Sequence, residues 1–108
     1  MARFPAHKLP YKEQDKLWMT FCEVLTHLHK TQDIHRFLKD LLNRQERMMF
    51  IRRLQIAKML HEGKTYQEIS RKLRTSSLTI GKVQRWLEFG RGGYKSAIQK
   101  LVKIERKK

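Results

Sequence analysis

Ser76, Ser77, Leu78, Gly81, Lys82 and Arg85 fall within positions 76–85. No carboxylate and no nucleophile–base pair stands among them. They are mostly small or basic residues. Small side chains let a partner approach the backbone closely, and Lys and Arg pair with phosphates or guanine edges. If Ser76 opens a helix, the positive end of that helix's dipole also faces outward, ready for a phosphate. Thr79 lies among these residues, and Gln67, Arg71 and Arg74 just upstream add further groups for phosphates or base edges. The chemistry these types and spacings imply is contact with a nucleic acid.

Bond-making chemistry lacks its parts. The ten carboxylates are scattered, and none of the five histidines stands at an informative spacing from a Cys, Ser or Asp. His27 and His29 are too close in sequence to share a helix face, so they make a poor metal pair. A nuclease or recombinase needs a metal-binding carboxylate cluster, so no enzyme and no metal site is expected. The single Cys22 excludes an internal disulfide framework and points to a reducing cytoplasm. No glycine-rich phosphate loop follows a strand, because the glycines at 90–93 follow a helical pattern.

Two short helices must position the basic and small residues. Thr65 with Glu68 three positions on forms a capping box, and Ile69 and Leu73 then share one helix face. Arg74, Thr75 and Ser76 break that spacing, and a hydroxyl there caps a second helix over about 77–89. Ile80, Val83 and Leu87 give this helix a narrow buried stripe. Ile69, Leu73, Ile80 and Val83 are expected to form the small core that sets the angle of a helix-turn-helix over about 65–89. Its turn position falls on Arg74, where glycine is common, at a cost of roughly 1 kcal/mol if the backbone there is left-handed. A plain helical hairpin is the alternative.

The rest of the chain reads as helices around this pair. Residues 1–10, with two prolines, are expected to be a flexible arm, whose Arg3 and Lys8 could touch a DNA backbone. Residues 11–108 read as a single domain. Helices are expected from Tyr11 to about Lys30, from Thr31 to about Leu42 and from Arg44 to about His61, with Thr31 and Asn43 as caps and Gly63 as a stop. A last helix runs from Tyr94 to about Arg106. The fold class is all-α, with about six helices. The helix over 44–61 is apolar over much of its circumference, so it is either central or shared with a second subunit.

Charge agrees with the partner class. The chain carries 25 Lys and Arg against 10 Asp and Glu, a formal net charge of +15. Residues 64–108 hold thirteen of the basic residues and three of the acidic ones. A positive field gathered in that half fits a polyanion, and solubility alone requires neither this magnitude nor one sign. The longest apolar run is Met48 to Ile51, so no membrane segment is expected.

Leu41-Leu42-Asn43-Arg44-Gln45-Glu46-Arg47, the helix ending at Gly63, Tyr66-x-x-Ile69, the run Thr75 to Val83, and Leu87-Glu88-Phe89-Gly90 with Gly93-Tyr94 together resemble the Trp repressor superfamily. Within it they resemble the YerC/YecD-like branch of small regulators. The resemblance covers residues 14–94 and implies an intertwined all-helical homodimer that binds DNA as a transcriptional regulator. It also implies an effector pocket. Arg53 and Thr79 match ligand-site residues of the family, Lys82 stands where a second arginine would be, Val83 replaces a glycine and Trp86 a serine. Lysine cannot give arginine's planar bidentate contact, and Val83 and Trp86 add bulk. Tryptophan is therefore not expected as co-repressor, no cofactor is expected, and any small-molecule effector is left open.

The expectation is thus a cytoplasmic, bacterial-type, repressor-like regulator, associated with the nucleoid when bound to DNA. A homodimer would place one helix of about 77–89 per subunit in successive major grooves of a two-fold related site. The alternatives are a non-specific architectural or RNA-associated basic protein, and an interaction module whose basic face docks an acidic protein.

Overall fold

The structure is a computed structural model that describes residues 5–108. Arg3 of the expected arm lies outside the described residues. Six α-helices follow a single 3₁₀ turn at Ala6–Lys8, and no strand occurs among the described residues. The chain divides into two compact units, one ending at Asn43 and the other spanning Arg44–Lys108.

In the first unit, α1 (Tyr11–His27) begins after Pro10, whose ring presets φ without needing a backbone donor. The Gln14 side chain donates to the Leu9 carbonyl at 2.6 Å and fixes the entry. Expected to run to about Lys30, α1 stops at His27, because His29 takes a left-handed backbone (φ 37°) that reverses the chain. Thr31, expected as the cap of α2 (Thr31–Leu41), is instead its first residue. Lys30 is the cap in extended conformation and supplies no side-chain bond. Phe21 of α1 lies 6.0 Å from Phe37 of α2 and 5.5 Å from Trp18, centroid to centroid. No residue of either helix is fully buried, and Trp18 is 62 % exposed.

The second unit holds the core. The long α3 (Arg44–His61) packs against α4 (Tyr66–Leu73), α5 (Ser77–Phe89) and α6 (Gly93–Arg106). Its C-terminal half contributes Ile56, Ala57 and Met59; α4 adds Ile69, α5 adds Ile80 and Val83, and α6 adds Ile98. Each fully buried isoleucine stabilises the unit by roughly 1.5–3 kcal/mol through area removed from water. The N-terminal half of α3 is different: Met48, Met49, Phe50 and Ile51 are each about half exposed. Gly63 (φ 83°) ends α3 as expected. Its amide donates to the Leu60 carbonyl and that of Lys64 to Met59, both at 3.0 Å, which is the double bond of a Schellman stop. At the far end of α5, a Cβ on Gly90 would lie 2.3 Å from the Trp86 carbonyl oxygen, so only glycine fits where α5 gives way to α6.

Candidate nucleic-acid interface

The α4–turn–α5 element is built from local bonds. At the start of α4 the Glu68 amide donates to Thr65 Oγ1 at 3.1 Å, while the Thr65 amide and hydroxyl donate to Glu68 Oε1 at 3.2 and 3.0 Å. This is the expected capping box. The bonds from Thr65 hold the Glu68 carboxyl below its ordinary pKa, since they favour the charged form. At the other end of α4, Arg74 adopts the left-handed backbone (φ 52°, ψ 52°). Its amide and that of Thr75 both donate to the Ser70 carbonyl, and Ser70 Oγ donates back to the Thr75 carbonyl at 2.7 Å. Ser76 then caps α5: its Oγ accepts from the Thr79 amide at 3.2 Å and lies 3.1 Å from the Thr79 hydroxyl. Arg74, Thr75 and Ser76 thus join the two helices, each making at least one hydrogen bond.

This arrangement sorts the residues singled out by sequence. Ile80 and Val83 are buried and Leu87 half-buried, so the opposite side of α5 faces out. Leu78 is 72 % exposed and lies on that side, with Ser77, Lys82 and Arg85 exposed beside it. Gln67 and Arg71 on α4 and Arg74 in the turn are exposed too. No acid occurs on α5 before Glu88. Ser76 and Thr79 also share hydroxyl bonding in the cap, and a Cβ on Gly81 would lie 4.0 Å from the Tyr66 hydroxyl.

Sequence reasoning missed a side-chain link that ties α4 to α5. The Tyr66 hydroxyl donates to Gln84 Oε1, and Gln84 Nε2 donates to Glu88 Oε1 at 3.0 Å. The Gln84–Glu88 spacing of four was a readable helix pair. The link to Tyr66 spans eighteen residues and has no local signal.

Arg53, Thr79, Lys82 and Trp86 do come together. They line one cavity of about 370 Å³ between α3 and α5, with Gln45, Met48, Met49 and Arg52 also in its wall. Val83, 1 % exposed, forms part of its floor, and Trp86, about half exposed, one side. Three cations and no carboxylate line it, so the cavity suits an anionic group. Among the described residues no cluster of three potential metal ligands occurs, and no helix is long and apolar enough to cross a membrane.

The sequence model of the Trp repressor protein family matches residues 16–102. The uncharacterized protein YerC of Bacillus subtilis (strain 168) is 35 % identical over 98 residues, covering 91 % of this chain and 90 % of YerC. A TrpR-like protein from Eubacterium eligens superposes with a TM-score of 0.75 at 27 % identity, covering 85 % of this chain and 95 % of the other. A proposed Trp repressor from Staphylococcus aureus gives 0.70 at 27 % identity, covering 92 % and 95 %. With its family match running from α1 into α6 and its YerC likeness over nine-tenths of both chains, this chain belongs to the Trp repressor family, in its YerC-like branch.

Proposed function

We propose that the chain is a sequence-specific DNA-binding transcriptional regulator that reads a two-fold related site as a homodimer. The observation that carries this reading is the outer side of α5. It is exposed and free of acid up to Glu88, it bears Lys82 and Arg85, and it follows a turn held by the Ser70–Thr75 bond and the Ser76 cap. In the proposed complex Ser76, Ser77, Leu78 and Gly81 lie nearest the bases or bridging waters, with Thr79 beside them. Gln67, Arg71, Arg74, Lys82 and Arg85 hold phosphates or base edges. The half-exposed row Met48 to Ile51 on α3 and the exposed Leu17, Trp18 and Met19 on α1 supply apolar surface for a second copy. The cell compartment that fits this role is the cytoplasm.

The test is selection from random duplex DNA, followed by titration of the selected and unselected pools at several salt concentrations. The reading expects a two-fold related consensus bound about a thousand-fold more tightly than the unselected pool. Equal affinity and equal steep salt slopes for both pools would replace it with the architectural or RNA-associated reading. No binding to nucleic acid at moderate salt would favour a module that docks an acidic protein.

We infer further that tryptophan is not the effector. A zwitterion would bring an ammonium group into a lining of Arg52, Arg53 and Lys82 with no carboxylate to receive it, and Val83 and Trp86 already occupy the wall. Titration calorimetry is expected to show no stoichiometric heat with tryptophan; saturable one-to-one binding would overturn this inference.

A further inference from the structure

The helix-turn-helix uses only part of the chain's positive charge. Residues 93–108 hold six basic residues and one acid, Glu105. At about 100° per residue, Lys95, Lys100, Lys103, Arg106 and Lys107 fall within one arc of roughly 140° on α6 and its cap. All five are exposed. The opposite side of α6 carries Ile98, 1 % exposed, with Tyr94, Leu101 and Val102 half-buried. Glu105 also lies on that packed side, where its carboxylate accepts from Lys58 Nζ of α3 at 2.9 Å. The only acid of the helix is therefore neutralised on the packed side. Among the described residues, none of the five cations forms an ion pair.

We propose that this face of α6 is a second DNA-binding surface, which holds the phosphate backbone outside the base pairs read by α5. This rests on the DNA-binding reading above. From Lys95 to Arg106 the stripe is roughly 16 Å long at 1.5 Å per residue. A duplex presents one negative charge per ~1.7 Å of its axis, so the stripe meets several phosphates at once. Four of its five cations are lysines, which meet phosphate as point charges, so the stripe is suited to sequence-independent binding. An anionic lipid surface is the weaker occupant. An interfacial helix must bury its own apolar side in the lipid, and here that side, with Ile98, belongs to the protein core.

The experiment compares the full chain with a variant in which Lys95, Lys100, Lys103 and Arg106 are all changed to Gln. Each is titrated with the selected duplex, a version extended by ten base pairs on each side, and an unselected duplex, at several salt concentrations. A variant with Arg at all four positions controls for folding and should retain wild-type behaviour. The wild type is expected to gain affinity from the extension and the Gln variant not to. The variant's salt slope should fall by about 0.9 for each phosphate it no longer neutralises, with preference for the selected sequence unchanged. An unaltered slope and unaltered gain from the extension overturn the proposal. So does wild-type DNA behaviour in a Gln variant that no longer binds vesicles of anionic lipid. If the wild type binds both sequences equally and the Gln variant still shows a reduced slope, the operator reading fails and this one stands. If the wild type binds no duplex, both fail.

Discussion

At the scale of single residues, Arg74 carries the clearest conflict between backbone and side chain. Its left-handed conformation costs an L residue roughly 1–2 kcal/mol, and glycine would escape that cost. The guanidinium is exposed at the turn just before α5, where a phosphate contact would explain why the strain is kept. Arg74→Gly is expected to raise stability by up to about 1 kcal/mol in thermal melting, the gain being reduced by the added freedom of the unfolded chain. The same variant should bind duplex DNA more weakly. Greater stability with undiminished binding would remove Arg74 from the interface. Glu68 makes a different prediction. Its folded pKa is depressed by the bonds from Thr65, so its contribution to stability is present above the ordinary glutamate value of about 4.3 and is lost as pH falls through the lower folded value. Glu68→Gln should therefore show a flatter stability profile than the wild type between about pH 5 and pH 3. Parallel profiles would mean that the capping box does not contribute in solution.

The next scale is that of helices meeting helices, where local rules end. The bounds of α3 and α5, the capping box and the left-handed turn could all be read from sequence, because each depends on residues within one helical turn of one another. The buried stripe of Ile80, Val83 and Leu87 was legible for the same reason: spacing alone puts them on one side. The link from Tyr66 to Gln84 and the pair Lys58–Glu105 were not, since they join residues eighteen and forty-seven apart that meet only when α4 has packed on α5 and α3 on α6. The cavity was half legible. Family resemblance pointed to Arg53, Thr79, Lys82 and Trp86, but Gln45, Met48 and Arg52 join them only through the way α3 lies against α5. The end of α1 and the cap of α2 were misplaced because a left-handed histidine leaves no composition signal. The Tyr66–Gln84–Glu88 chain carries a prediction of its own. It ties α4 to α5 beside the core packing of Ile69 with Ile80 and Val83. Tyr66→Phe removes the hydroxyl donor and leaves the ring. The fold should persist, while the ratio of selected to unselected affinity falls several-fold, because sequence discrimination needs α5 held in one register and phosphate binding does not. The salt slope should not change. An equal loss on both duplexes would make Tyr66 a phosphate ligand instead.

At the scale of the whole molecule, two properties of the chain oppose each other. Leu17 and Trp18 in one unit, and Met48, Met49 and Phe50 in the other, leave more apolar surface in water than a stable monomer usually shows. Yet each copy carries a formal charge of +15, so the proposed dimer assembles against its own repulsion. Salt screens that repulsion over a Debye length of about 10 Å at 0.1 M and leaves apolar burial in place. Self-association should therefore strengthen as salt rises, whereas binding to DNA weakens, because counterions are released from the phosphates into a more concentrated solution. The two dependences have opposite signs and can be separated by protein concentration. Sedimentation equilibrium between about 0.05 and 0.5 M salt should show the monomer–dimer constant tightening. Operator titrations made below that constant should give a shallower salt slope than titrations made above it, because added salt then builds the binding-competent dimer while it dissociates DNA. Phe50→Glu places a carboxylate in the half-exposed row of α3 and should yield a monomer whose slope is the same at every protein concentration. A wild-type chain that sediments as a monomer at all salts, and yet selects a two-fold related site, would mean that the two copies meet only on the DNA.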